Sequence, residues 1–190
     1  RKAIISRQIT EGEVLTLEST AQELGVSITP VREAFQILER DGLIDLQQNK
    51  GATVLGINET TLREHFQIRA ALESEACVLC CKNRIDMSRI EQVLTVSKEM
   101  IEKQDYENYS KLNQSLHMEI WIAAGNEKLK KMLSELWSGL SMGVKMTEAE
   151  LKEHEGIVES MKKCDTMEAA MKMHQHIERS LEDVLTEFEK

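Results

Sequence analysis

The stretch "GVSITPVREAFQILERDGLI", from Gly25 to Ile44, contains Pro30, the one proline of the chain. Proline has no N–H to donate and fixes φ, so a helix accepts it only in its first turn. Ser27, three residues earlier, is a residue type that caps helix starts. The spacing therefore predicts a helix opening just after Ser27. Val31, Ala34, Phe35 and Leu38 form one apolar stripe, which leaves Ile28, Thr29, Arg32, Glu33 and Gln36 facing outward. Gly42 supplies the left-handed residue that ends the helix. Upstream, "STAQELGV" reads as a shorter helix with Ala21 and Leu24 inward, stopped by Gly25.

Downstream lies "LIDLQQNKGATVL". Leu43, Ile44 and Leu46 precede a polar tip at Asn49, Lys50 and Gly51, and Ala52, Val54 and Leu55 follow it, the pattern of a β-hairpin. Helix, glycine turn, capped helix and hairpin, in that order, make a winged helix-turn-helix, whose second helix enters the DNA major groove. The same apolar stripe also suits a plain helical hairpin. It is the cap, turn and wing together that favour the DNA-binding reading, with double-stranded operator DNA as partner. Before residue 57 six basic residues (Arg1, Lys2, Arg7, Arg32, Arg40, Lys50) face eight acidic ones, so Arg32 has to carry much of the contact. Lys50 at the wing and Arg7 near the phosphate backbone support it.

From Asn58, a candidate cap, the chain has no proline, few glycines and the apolar periodicity of helices. Breaks near Asn83–Asp86, Gly125–Asn126, Gly143–Thr147 and Cys164–Asp165 divide it into about five or six helices. The expected architecture is mainly α: a winged helix-turn-helix over residues 1–57 and an all-helical bundle over 58–190. Because the chain opens on Arg1, the expectation is that a start region is missing. Hydrophobic content of 41% is enough to bury a core. No apolar run is as long as a membrane span requires, roughly 18 residues. A formal charge of −9 argues against a whole-chain polyanion binder and makes any DNA surface local. Cys77, Cys80, Cys81 and Cys164 sit in helical patterns and read as reduced thiols of a cytoplasmic protein. The first three are small packing residues before they are a thiol site, and Met161, Met167, Met171 and Met173 are core filler.

His117, His154 and His176 lie on or beside the apolar stripes of three different helices. One such histidine is ordinarily a hydrogen-bonded core residue. Three in one bundle suggest metal ligation, because each buried neutral imidazole otherwise needs its own partner. His65 and His174 read as surface or core residues. Arg69 stands four residues before Glu73, a spacing that suits either an ion pair or a clamp on an anionic ligand. An exposed pair of this kind is worth only about 0.3–0.5 kcal/mol.

The segments "LGVSITPVREAFQILERDGLI" and "NKGATV" closely resemble the GntR family of bacterial transcription regulators. "IRAALESEA", "LHMEIWIAAGNEKL" and "EHEGIVESMKKCDTMEAAMKMHQHIERS" resemble the FCD effector domain of its FadR-like branch. The resemblance implies a homodimeric, operator-binding repressor whose helical domain takes a small organic-acid or sugar-acid effector. It carries over Ser27, Thr29 and Arg32 as DNA contacts and Gly51 as the wing glycine, and it places Arg69 in the effector cavity. Ile28 stands where the family usually has arginine, and Glu18 where it often does. A bidentate arginine–guanine contact gives about 1–3 kcal/mol of discrimination, so the operator should differ from the commonest family site. The resemblance also implies a divalent ion held by an aspartate and three histidines. His117, His154 and His176 fall on the histidine positions, and Asn113 replaces the aspartate. Ligand softness favours zinc or nickel, with manganese still open. Two other readings compete: a metal-dependent hydrolase built on the three histidines, and a DNA-binding protein whose helical part only dimerises.

Overall fold

A computed structural model describes residues 1–5, 8–47, 51–56, 58–140 and 148–188. Arg7, Lys50, the hairpin tip at 48–50 and the expected break at 143–147 lie outside them. Two compact units, Arg1–Leu62 and Arg63–Lys190, divide the chain.

The first unit runs α1 (Lys2–Ile5), β1 (Val14–Leu15), α2 (Leu17–Leu24), α3 (Ile28–Arg40), β2 (Ile44–Gln47) and β3 (Gly51–Val54). Thr16 caps α2, its hydroxyl accepting from the Ser19 amide at 3.1 Å. Ser27 occupies the cap position of α3 but makes no side-chain capping bond, contrary to its expected role. Pro30 lies in the first turn of α3, as its missing donor requires. Past the end of the helix, Gly42 takes the left-handed conformation at φ 70°. Its amide bonds the Glu39 carbonyl, and the Leu43 amide bonds that of Leu38.

β2 and β3 pair antiparallel from Ile44↔Val54 to Gln47↔Gly51. β1, which the sequence did not reveal, adds Val14↔Thr53 and Leu15↔Ala52, giving the order β1-β3-β2. Leu43, Ile44, Ala52 and Val54 are buried with Ala21, Val31 and Phe35. Three expected core residues, Leu24, Ala34 and Leu38, are not in that core, and Leu55 beyond the hairpin is exposed as well. Leu24 is 65% exposed, Ala34 is exposed and Leu38 is half-buried. The reason is geometric: Leu24, Ala34 and Leu38 border an open apolar groove of about 440 Å³, shared with Ile4, Ile9 and Val26.

The second unit holds α4 (Glu59–Asn83, which begins in the first), α5 (Ser88–Glu102), α6 (Tyr106–Ala123), α7 (Glu127–Leu140), α8 (Glu148–Lys162) and α9 (Thr166–Phe188). Side chains define the starts, as caps do. Asn58, Asp105, Asn126 and Asp165 each accept the backbone N–H three residues on, at 2.8, 3.2, 3.1 and 3.0 Å. The α5–α6 break, at Lys103–Asp105, was not expected. Here Gln104 takes φ 57° and Asp105 restarts the chain as a helix.

α5 packs on α6 and α8, α6 on α7, and α8 on α9. α4 presents Phe66, Arg69, Ala70, Glu73, Ala76, Cys77, Cys80 and Cys81, a buried stripe at helical spacing. Its small residues admit close neighbours: the Cys80 thiol donates to the Ile120 carbonyl and the Ser74 hydroxyl to that of Ala170. Met161 and Met173 are core residues, whereas Met167 and Met171 are exposed, which corrects the reading of the methionines as filler. Among the described residues no helix is long and apolar enough to cross a membrane.

Candidate functional site

Three helices each bring one imidazole to the interior of the second unit: His117 from α6, His154 from α8 and His176 from α9, all buried. Leu116, Ile120, Ile157, Val158, Met173 and Ile177 flank them in sequence and are buried with them. One candidate ligand atom from each ring lies within 4.8 Å of the other two. The Nε2 atoms of His154 and His176 are 3.1 Å apart. His117 stacks on His176 with ring centroids 5.4 Å apart.

Carboxylates stand behind two of the rings. Nδ1 of His117 meets Oε2 of Glu73, an oxygen that also accepts from Trp121 Nε1 at 3.2 Å. The other oxygen, Oε1, accepts from Arg69 Nε at 2.6 Å. Nδ1 of His176 meets Oε2 of Glu153 at 2.8 Å, and Arg179 donates from Nε to Oε1 of Glu153 and from Nη1 to Asp183.

These surroundings set the charges. Burial alone would raise the Glu73 carboxyl, but His117 and Arg69 outweigh it and bring it down to about 2. Glu153 is likewise lowered against its burial by hydrogen bonds from His176 and Arg179. Burial and the neighbouring rings push His154 well below the usual imidazole range. Burial holds His176 down at about 4 although Glu153 opposes it. Near neutrality these two rings are therefore uncharged, the form in which imidazole ligates a metal.

The donor set fits a divalent ion. Buried polar atoms without a partner are rare and cost about 1–3 kcal/mol each. His117 Nε2 and Asn113 Oδ1 are both buried and both lack a hydrogen-bond partner among the described residues. Asn113 lies one helical turn before His117 on α6 and is 9% exposed. A cation among the three imidazoles would satisfy the His117 lone pair.

Arg69 is not the exposed partner of Glu73 that its spacing allowed. It is buried, and its guanidinium lies 4.3 Å from the centroid of the Trp137 ring. Glu73, Glu153, Arg179, Trp121 and Trp137 were missed as site residues. The i+4 spacing of Arg69 and Glu73, and the adjacency of Glu153 to His154, were the available signals. Trp137 carried none. Cys77, Cys80 and Cys81 are buried packing residues, and burial pushes the Cys80 thiol up to about 12. His174 is exposed and pairs with Glu178.

In the first unit, Ser27 at the cap position and Ile28, Thr29, Arg32 and Gln36 on α3 are all exposed. Gly51 has a structural reason to be glycine, because only a residue without Cβ fits there. Its φ is 92°, and a Cβ would stand 2.1 Å from the Leu15 carbonyl oxygen.

Residues 64–179 match the FCD domain family, and residues 1–54 match the gntR family of bacterial regulatory proteins. The chain belongs to the GntR family and carries an FCD domain. It is 29% identical over 150 residues to the HTH-type transcriptional regulator McbR of Escherichia coli, covering 75% of this chain and 68% of McbR. It is 27% identical over 192 residues to the gluconate operon transcriptional repressor of Bacillus subtilis, covering 94% of this chain and 79% of that one. The solved structure of E. coli McbR/YncC shares the fold, with a TM-score of 0.70 at 21% identity, over 98% of this chain and 93% of that chain. The GntR/FCD relatives are transcriptional regulators, not enzymes, which removes the hydrolase reading of the three histidines.

Proposed function

We propose that this GntR/FCD protein is a ligand-responsive operator-binding repressor of the cytoplasm. The winged segment 1–57 binds DNA as a homodimer, and the helical segment 58–190 binds a divalent ion and a small carboxylate effector. The observation that carries the effector half is the meeting of three buried imidazoles, one from each of three helices, with ligand atoms within 4.8 Å. His117, His154 and His176 would hold the ion, with Asn113 as a fourth ligand. The bound ion would supply a Lewis-acid anchor for an effector carboxylate. Arg69, held at Nε by Glu73, would meet that carboxylate through its terminal nitrogens. Zinc or nickel suits three imidazoles best, and manganese is the alternative to test. One relative is named for a gluconate operon, which makes gluconate and related sugar acids the first metabolites to try.

On the DNA side, Arg32, Thr29, Ser27, Gln36 and Ile28 would face the groove, with Lys50 and Gly51 at the wing and Arg7 near the backbone.

Three neutral imidazoles and a neutral amide leave a divalent ion its full charge. An anionic effector then gains more from the ion, and the two bind with positive coupling, each raising the other's affinity by one common factor. Calorimetric titration of zinc, nickel and manganese, with and without gluconate, tests this on wild type and Asn113→Asp. The expected result is tighter metal binding and weaker coupling in Asn113→Asp, and loss of both in His117→Ala or His176→Ala. A wild-type protein that takes up no divalent metal under any of these conditions makes the histidines structural and the helical part a dimerisation module only.

A further inference from the structure

We propose that Glu73 and Glu153 are positioning residues, each accepting a hydrogen bond from Nδ1–H of one imidazole so that His117 and His176 present bare Nε2 atoms beside His154. The direction of each hydrogen bond follows from donors that cannot reverse. Arg69 Nε and Trp121 Nε1 can only donate, and they occupy Oε1 and Oε2 of Glu73. Glu73 is thereby an acceptor on both oxygens, and His117 Nδ1 meets it as a third donor. Arg179 Nε donates to Oε1 of Glu153, and as a carboxylate Glu153 can only accept from His176 Nδ1 at Oε2.

In the neutral form that ligates a metal, an imidazole has one N–H. Committing it at Nδ1 leaves the lone pair at Nε2, which is the orphaned buried atom of His117 and the atom of His176 that lies 3.1 Å from His154 Nε2. Two rings from different helices are thus backed by the same arginine–glutamate arrangement, Arg69 with Glu73 and Arg179 with Glu153. His154 meets His176 instead. Partners of this kind fix ring orientation in metal sites and typically carry about 10–100-fold in affinity. That consequence rests on the metal reading above, whereas the orientation itself does not.

An amide cannot replace either carboxylate. Glutamine at 73 has one acceptor oxygen for three donors. With that oxygen on Arg69, its NH₂ faces His117 and forces Nδ1 to accept, which moves the ring proton to Nε2. Glu153 is only half-buried, so Glu153→Gln tests the same logic where folding is least at risk.

Long-range proton–nitrogen NMR on metal-free full-length protein reads the tautomer of each histidine, with assignment by single substitution. Zinc affinity by chelator competition is the second measurement. Wild type should show His117 and His176 as Nδ1–H. Glu73→Gln should convert His117 alone to Nε2–H and Glu153→Gln His176 alone, each lowering zinc affinity about 10–100-fold. A wild-type spectrum with either ring as Nε2–H, or unchanged zinc affinity in both variants, overturns the proposal. If wild type takes up no zinc, nickel or manganese while both rings are Nδ1–H, the metal reading fails and the positioning stands.

Discussion

Gly51 and Gly12 both adopt positive φ, at 92° and 83°, but their surroundings differ. A methyl at Gly12 meets none of the described residues within 4 Å, whereas one at Gly51 runs into the Leu15 carbonyl. Gly12→Ala should therefore cost only the conformational term, about 1–2 kcal/mol. Gly51→Ala must also displace β1, and should exceed it by at least about 1 kcal/mol, the worth of one ladder hydrogen bond. Amide exchange at Leu15 and Ala52 measures the difference, and equal effects of the two substitutions would contradict the close approach. The thiols give a second check. Cys164 is exposed while Cys77, Cys80 and Cys81 are buried, and burial raises the thiol pKa of all three. A thiol reagent at neutral pH should titrate one group of the four in native protein and all four in denaturant.

At the scale of elements, caps and contacts can be told apart. Thr16 bonds the first turn of α2. Losing such a cap in Thr16→Ala should cost about 1 kcal/mol. Ser27 makes no such bond to α3. As a surface change without a lost partner, Ser27→Ala should shift a denaturation midpoint by no more than about 0.5 kcal/mol. A loss of operator affinity in that variant would then be a lost DNA contact rather than a loosened helix. The boundaries of α3 and the pairing of β2 with β3 were legible because Pro30, Gly42 and the alternation around Gly51 each restrict φ or the exposed face. β1 was not, because two residues, Val14 and Leu15, carry no period. The Lys103–Asp105 break was hidden because Gln104 takes a positive φ that glycine or asparagine more often signals. The three histidines were legible from their apolar neighbours. Their carboxylate partners were not, since Glu73 is set by a helix-to-helix meeting 44 residues from His117.

At the scale of the molecule, a two-fold dimer presents each DNA contact twice. If Arg32 reads a base at about 1–3 kcal/mol per copy, Arg32→Ala should cost about twice that against the operator. Gel shifts measure that cost, and sedimentation at the same concentration gives the assembly. A single contact's worth of loss, with a monomer in the centrifuge, would remove the two-fold arrangement.

Another consequence comes from the aromatic side chains. Trp121 and Trp137, the chain's two tryptophans, have ring centroids 6.4 and 5.1 Å from that of His117, and both tyrosines, Tyr106 and Tyr109, are also in the second unit. The first unit therefore has no ultraviolet fluorophore of this kind. Intrinsic emission reports on the imidazole cluster with no label added, and a paramagnetic ion such as nickel seated there should quench it. Operator DNA bound through the first unit would meet no such emitter there, so a change in emission when it is added would come from the second unit.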